Sequence, residues 1–160
     1  MLGKHLLGLD CQGCVRHQTE SLLGDEFASY TANAVSFVFD AHEGGLKILD
    51  ELVDADGVIF ATPIYYGQMS AQGKLIIDRF YSIGQNPDKS LSGKAALIFT
   101  ENQPEGTYAN YIEMTKFSPF TFMGYEVIGH VDAGSAGPAG IVAEEQEDKL
   151  KEAYELGLKF

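Results

Sequence analysis

Two shortages limit what this chain can be: cysteine and positive charge. Only Cys11 and Cys14 are present in 160 residues, so no disulfide framework can be built. Lys and Arg number 11 against 23 Asp and Glu, a formal net charge of −12. Nucleic-acid phosphates are held by Lys and Arg, so the balance excludes a nucleic-acid binder. Anionic membrane surfaces are disfavoured for the same reason. No apolar run is long enough to span a bilayer. The apolar stretch at 6–9 is too short for a secretory h-region and no small-residue cleavage site follows it, so a cytoplasmic location is expected. His5, His42 and His130 share no ligand spacing, and Cys11-Gln12-Gly13-Cys14 has no second CxxC to complete a zinc site. No metal is expected, and the cysteine pair reads as inert in preference to redox-active.

What is present is a globular pattern. Apolar residues make up 45% and charged residues 21%, which places the chain among folded domains, and 160 residues suffice for one domain with a core. A single domain over 1–160 is expected. Short apolar runs alternate with amphipathic stretches, the mark of an α/β protein. Strands are predicted at 5–9, 35–39, 58–62, 95–100 and 125–131. Helices are predicted near residue 19, at 46–53, 70–83, 108–123 and 143–158. Leu75, Ile76, Phe80 and Ile83 form the inner face of the third helix, and Pro119 should bend or break the fourth. The acidic run at 144–148 suits a helix N-terminus. The expected architecture is a three-layer α/β/α sandwich on a five-stranded parallel sheet of order 2-1-3-4-5. That order opens a ligand crevice beside strands 1 and 3.

The stretch 56–79 carries the most information. An apolar strand ends at Thr62-Pro63, the loop Ile64-Tyr65-Tyr66-Gly67 follows, and Ser70 opens a helix. Two tyrosines supply flat apolar faces, and Gly67 lets backbone approach a flat molecule. The corner therefore suits a planar aromatic ligand.

Here the chain resembles the flavodoxin-like NAD(P)H-dependent FMN and quinone reductases. The resemblance lies in Ala55-Asp56-Gly57, Thr62-Pro63-Ile64-Tyr65-Tyr66-Gly67, Ser70-Ala71-Gln72, Lys74 and Asp78-Arg79, with support from 93–100 and from Gly124-Tyr125-Glu126-Val127. It implies a flavodoxin-like fold with FMN as cofactor and NAD(P)H as donor. Pro63, Ile64, Tyr65, Tyr66 and Gly67 would line the flavin ring, and Thr100, Glu101, Asn102 and Gly106 would close its other side. In the loop 10–19, Gln12, Gly13, Cys14 and Thr19 would meet the phosphate. An alternative register aligns Cys11 and Cys14 with the start of the cluster motif of iron–sulfur flavoproteins, but two thiolates do not make a four-iron site.

The implied activity is an oxidoreductase that passes reducing equivalents from NAD(P)H through flavin to a small acceptor such as a quinone or free flavin. The cofactor carries that chemistry, so no catalytic side chain is assigned. The alternatives are a flavodoxin-type electron carrier and a non-catalytic relative with weakened FMN binding. A small-molecule acceptor and a homo-oligomer are expected partners; nucleic acid and membrane are not.

Overall fold

A computed structural model describes residues 6–9, 35–37, 44–137 and 141–160. Five strands form a parallel sheet: β1 (Leu6–Leu9), β2 (Val35–Phe37), β3 (Gly57–Tyr65), β5 (Lys94–Thr100) and β6 (Glu126–Ala133). Their spatial order is β2-β1-β3-β5-β6, the predicted order once the parallel strands are counted in sequence. The chain leaves β1 towards one edge of the sheet and returns at β3 towards the other, so the switch point lies between these two strands. A sixth strand that the sequence pattern did not predict, β4 (Gln68–Met69), pairs antiparallel with the end of β3.

The central strands β3 and β5 are buried along almost their whole length, which is why their sequences are apolar on both faces. One face is covered by α1 (Gly44–Asp54), α2 (Ala71–Gly84) and α3 (Ala109–Thr115). Their buried side chains Ile48, Leu52, Ile76, Phe80 and Ile112 meet Val58, Phe60, Leu97 and Phe99 of the sheet. The other face is covered by α4 (Ile141–Glu145) and α5 (Glu147–Gly157), with Val142, Ala153 and Leu156 against Ile59, Ala61, Ile98 and Val131. This is the expected three-layer sandwich.

A side-chain cap fixes the start of α2. Ser70 caps α2 by accepting the Gly73 N–H at 3.1 Å. The predicted inner face of α2 holds for Ile76, Phe80 and Ile83; Leu75 is instead 48% exposed, and Gly73 takes the fourth buried position. Gly73 is needed there because an added Cβ would lie 3.1 Å from the Phe60 ring. Pro119 does not end the fourth helix. After α3 the chain widens into a π-helical segment, Lys116–Thr121, that contains the proline. A wider turn relieves the clash of the ring with the preceding turn and tolerates its missing N–H. The widening also buries Phe120 among Phe60, Phe80 and Tyr125, with ring centroids 5.4, 5.8 and 6.0 Å away. The final helix, predicted as one, is two. Gln146 separates α4 from α5, and its side-chain amide donates to the Gly134 carbonyl at 2.9 Å. Glu144 lies in the first turn of α4 and Glu147 and Asp148 in the first turn of α5, the dipole match expected of the acidic run.

Two strands run further than predicted. β3 continues past Thr62 through Pro63 and Ile64 to Tyr65. Among the described residues its pairing with β1 stops at Phe60, so Pro63 sits where no β1 partner needs its missing N–H. β6 reaches Ala133 and contains a bulge: Ala95 pairs with Val127, but Ala96 pairs with Gly129, leaving Ile128 as an extra residue.

Candidate functional site

The segment expected as an open loop after β3 is the tip of a β-hairpin. Tyr65 pairs with Gln68, leaving Tyr66 and Gly67 as a two-residue turn. Their φ angles, +52° and +78°, are those of a type I′ turn. Tyr66 is fully exposed and Tyr65 is 48% exposed. The base of the hairpin is rigid. Ser70 N–H donates to the Thr62 hydroxyl at 3.0 Å, and both side chains are buried. Met69 N–H donates to the Tyr111 hydroxyl at 2.7 Å, tying the hairpin to α3. A Cβ built on Gly67 would lie 3.6 Å from the Tyr108 ring, so Tyr108, which immediately precedes α3, stands beside the tip.

The second wall is the segment after β5. Thr100 and Glu101 are buried at the strand end, while Asn102, Gln103, Pro104, Glu105 and Gly106 are exposed. The segment is held by the loop after β6: Ser135 N–H donates to the Gln103 carbonyl and Ala136 N–H to the Glu101 carbonyl, each at 2.7 Å. Gly134 permits this approach, because a Cβ there would lie 2.2 Å from the Glu105 nitrogen. Gly106 has φ +82° and open space where a Cβ would stand. Lys149 of α5 is buried, and its ammonium binds Glu105 at 2.7 Å and Glu152 at 3.2 Å.

Beneath this segment lie two acids. Glu101 is 3% exposed and Asp132 7% exposed. Asp132 Oδ2 accepts the Gly106 N–H at 2.9 Å. Asp132 Oδ1 and both Glu101 oxygens have no hydrogen-bond donor among the described groups. Burial first, and then the Asp132 charge and side-chain contact, push the Glu101 carboxyl up to about 7. A carboxyl with that value gains or loses its proton near neutrality.

Of the residues expected to line a flavin, Tyr65, Tyr66, Gly67, Asn102 and Gly106 present themselves at the carboxyl ends of β3 and β5. Pro63, Ile64, Thr100 and Glu101 are buried, and Ile64 belongs to the core. Gln12, Gly13, Cys14 and Thr19 lie outside the described residues. The pattern did not single out Tyr108, Tyr111 or Asp132, although each follows a predicted strand or enters a predicted helix. An aromatic just inside a helix start facing a ligand loop was the available signal for Tyr108.

The site's ends differ in kind. One is a strained, exposed aromatic tip; the other is open backbone around a positive-φ glycine. Both stand at the carboxyl ends of neighbouring strands, β3 and β5. Fold and topology define a flavodoxin-like α/β protein whose switch point lies between β1 and β3.

Known proteins agree. The profile of NADPH-dependent FMN reductase matches residues 26–123. Quinone-oxidoreductase QR2 of Triphysaria versicolor is 30% identical over 128 residues, covering 68% of this chain and 62% of that protein. The NAD(P)H dehydrogenase (quinone) of Geobacter sulfurreducens is 30% identical over 125 residues, covering 70% and 61%. The chain thus spans about three fifths of the length of these curated relatives. Among solved structures, the Trp repressor binding protein from Bacillus subtilis superposes with a TM-score of 0.72 at 20% identity, over 94% of this chain and 96% of that one, a likeness of fold. The chain belongs to the NADPH-dependent FMN reductase family.

Proposed function

We propose that this chain binds FMN at the carboxyl edge of its sheet and uses NAD(P)H to reduce a quinone or a similar small acceptor. The observation that supports the reading is the placement of the Tyr66-Gly67 tip, with Tyr108 beside it, and of the Gly106 segment after the neighbouring strands β3 and β5. The names of the two curated relatives, both quinone oxidoreductases, support the acceptor class. FMN held there would supply the redox chemistry, hydride transfer from the nicotinamide and electron transfer to the acceptor.

The chain's own residues bind and orient. Tyr65 and Tyr66 offer ring faces to the flavin, and Gly67 brings backbone N–H and carbonyl groups to its polar edge. Asn102 and Gly106 form the opposite side. Pro63, Ile64, Thr100 and Glu101 act from below as the packed floor on which those groups stand. The segment 10–19, with Gln12, Gly13, Cys14 and Thr19, is the proposed phosphate end, since it follows β1 at the switch point.

A single domain, a cytoplasmic location and a homo-oligomer belong to the same proposal. Among the described residues no helix is long and apolar enough to cross a membrane. Exposed Leu75 and Tyr81 on α2, with Met114, Phe117 and Phe122 on and beyond α3, support self-association.

The deciding measurement is the visible spectrum of the purified protein after incubation with FMN and desalting, followed by NAD(P)H oxidation with a quinone. Retained flavin absorbance and quinone-dependent NAD(P)H consumption are expected. A colourless protein that leaves FMN fluorescence unquenched would sink the reading.

A further inference from the structure

The acid pair Glu101–Asp132 is left without a task by flavin-linked chemistry, yet its placement is deliberate in the fold. Asp132 is the register partner of Phe99, so both side chains stand on the sheet face that carries α1, α2 and α3. Glu101 follows two residues after Phe99 and shares that face. The bulge at Ile128 creates the match. Val127 faces the α1–α3 side, and without the extra residue strict alternation would put Asp132 on the opposite face, under α5. Bulges of this kind occur beside functional sites, where they re-aim one side chain.

What faces the pair can be named element by element. From β6 comes His130, on the same face, whose own surroundings include Glu113 of α3 and Lys116 of the π-helical segment. Glu105 of the segment after β5 is held by Lys149 of α5, whose ammonium is engaged by Glu105 and Glu152. Among the described residues no cation pairs with Glu101 or Asp132. Two buried carboxylates without a cation are tolerable only when one of them is protonated.

We propose that Asp132 is a positioning residue for the FMN site: it holds the Gly106 wall through the Gly106 N–H, and a proton on Glu101 keeps that arrangement closed. The proposal rests on the reading that the Gly106 segment lines FMN. With a proton on Glu101, the two acids carry one charge between them, and Asp132 keeps its grip on Gly106 at 2.9 Å. When Glu101 ionises, a second charge enters the same dry space. Its side chain then moves to water, and the exposed segment 102–106, which directly follows Glu101, loosens with it. Because Glu101 is pushed up to about 7, the closed arrangement is complete in mild acid and is lost as the pH rises through neutrality.

The test follows the Gly106 amide and FMN separately. Hydrogen-exchange protection of Gly106 and the FMN dissociation constant are measured from pH 5.5 to 8.5 in the wild type, Glu101→Gln and Asp132→Asn. In the wild type, protection and FMN affinity should fall together, affinity by about fivefold from neutrality to one pH unit above it, the drop expected when binding requires the protonated form. Glu101→Gln should stay closed and flat across the range. Asp132→Asn should move the transition to lower pH, because the like charge beside Glu101 is gone. A pH-independent Gly106 in the wild type, or the same profile in Glu101→Gln, overturns the proposal. If FMN binds at no pH while Gly106 protection still follows Glu101, the positioning role stands and the cofactor reading falls.

Discussion

Replacing Tyr66 by asparagine separates what the hairpin tip costs the fold from what it contributes to the site. Tyr66 occupies the first central position of a type I′ turn at φ +52°, with Gly67 at +78°. Asn and Gly are the residues that accept this turn; a tyrosine there crowds its Cβ against the following carbonyl, at a cost of about 1 kcal/mol. The Tyr66 side chain is fully exposed, so its removal forfeits no packing. Asparagine also avoids the extra unfolded-state freedom that glycine would add. The apo protein should therefore gain about 1 kcal/mol, a rise of roughly 2–4 °C in Tm for a domain of this size. FMN binding should move the other way. Loss of one stacked ring weakens binding by about 1–3 kcal/mol, roughly fivefold to 150-fold in dissociation constant. Thermal unfolding without ligand reads the first effect, and quenching of FMN fluorescence reads the second. A variant less stable than the wild type would show that the ring packs on the protein. An unchanged dissociation constant would remove Tyr66 from the site. Only opposite signs in the two assays support strain kept for binding.

Other perturbations test the supports. Ser70→Ala removes the cap of α2 and the Thr62-to-Ser70 hydroxyl bond, while the Ser70 N–H still donates to Thr62. A loss of about 1 kcal/mol is expected in urea unfolding, and an unchanged midpoint would mean that the Gly73 N–H is satisfied otherwise. Glu101→Gln tests the linkage of charge to stability. The folded-state value of Glu101 is raised from 4.5 to about 7, so the folded protein holds its proton more tightly than the unfolded chain. The stabilisation is fully present below 4.5 and is lost as pH rises to about 7, a fall of up to about 3 kcal/mol. The glutamine variant should lack this component of the slope; identical pH dependence of denaturant midpoints in both proteins would refute it.

Much of the fold was legible because its signals are local. The runs through Phe60 and Leu97 are apolar on both faces, as doubly covered strands must be. Ser70 announced a helix start that the structure places one residue later. Pro119 was read as a bend or break, and the structure shows a widened π-helical turn there. A proline shows that the α-helical ladder fails, but whether the chain stops or widens depends on what the next turn can bury, and here Phe120 fills an aromatic cluster. The strand β3 looked finished at Thr62 because proline is a poor strand residue, yet pairing with β5 carries it on, with Pro63 opposite Thr100.

By itself the sequence determined the layer order and the strand-to-helix corner at 56–79, since both rest on spacing and residue type within short windows. The tertiary structure decided three things. It folded Tyr65-Tyr66-Gly67 into a hairpin tip, through pairing with Gln68 and Met69. It brought Tyr108 and Tyr111 of a distant helix start against that tip. And it turned Asp132 towards Glu101 with one extra residue in β6. Strand register is the physical reason for the last. Side chains alternate from face to face along a strand, so a single-residue bulge reverses every position after it, and no local pattern in residues 126–133 records which neighbour they will meet.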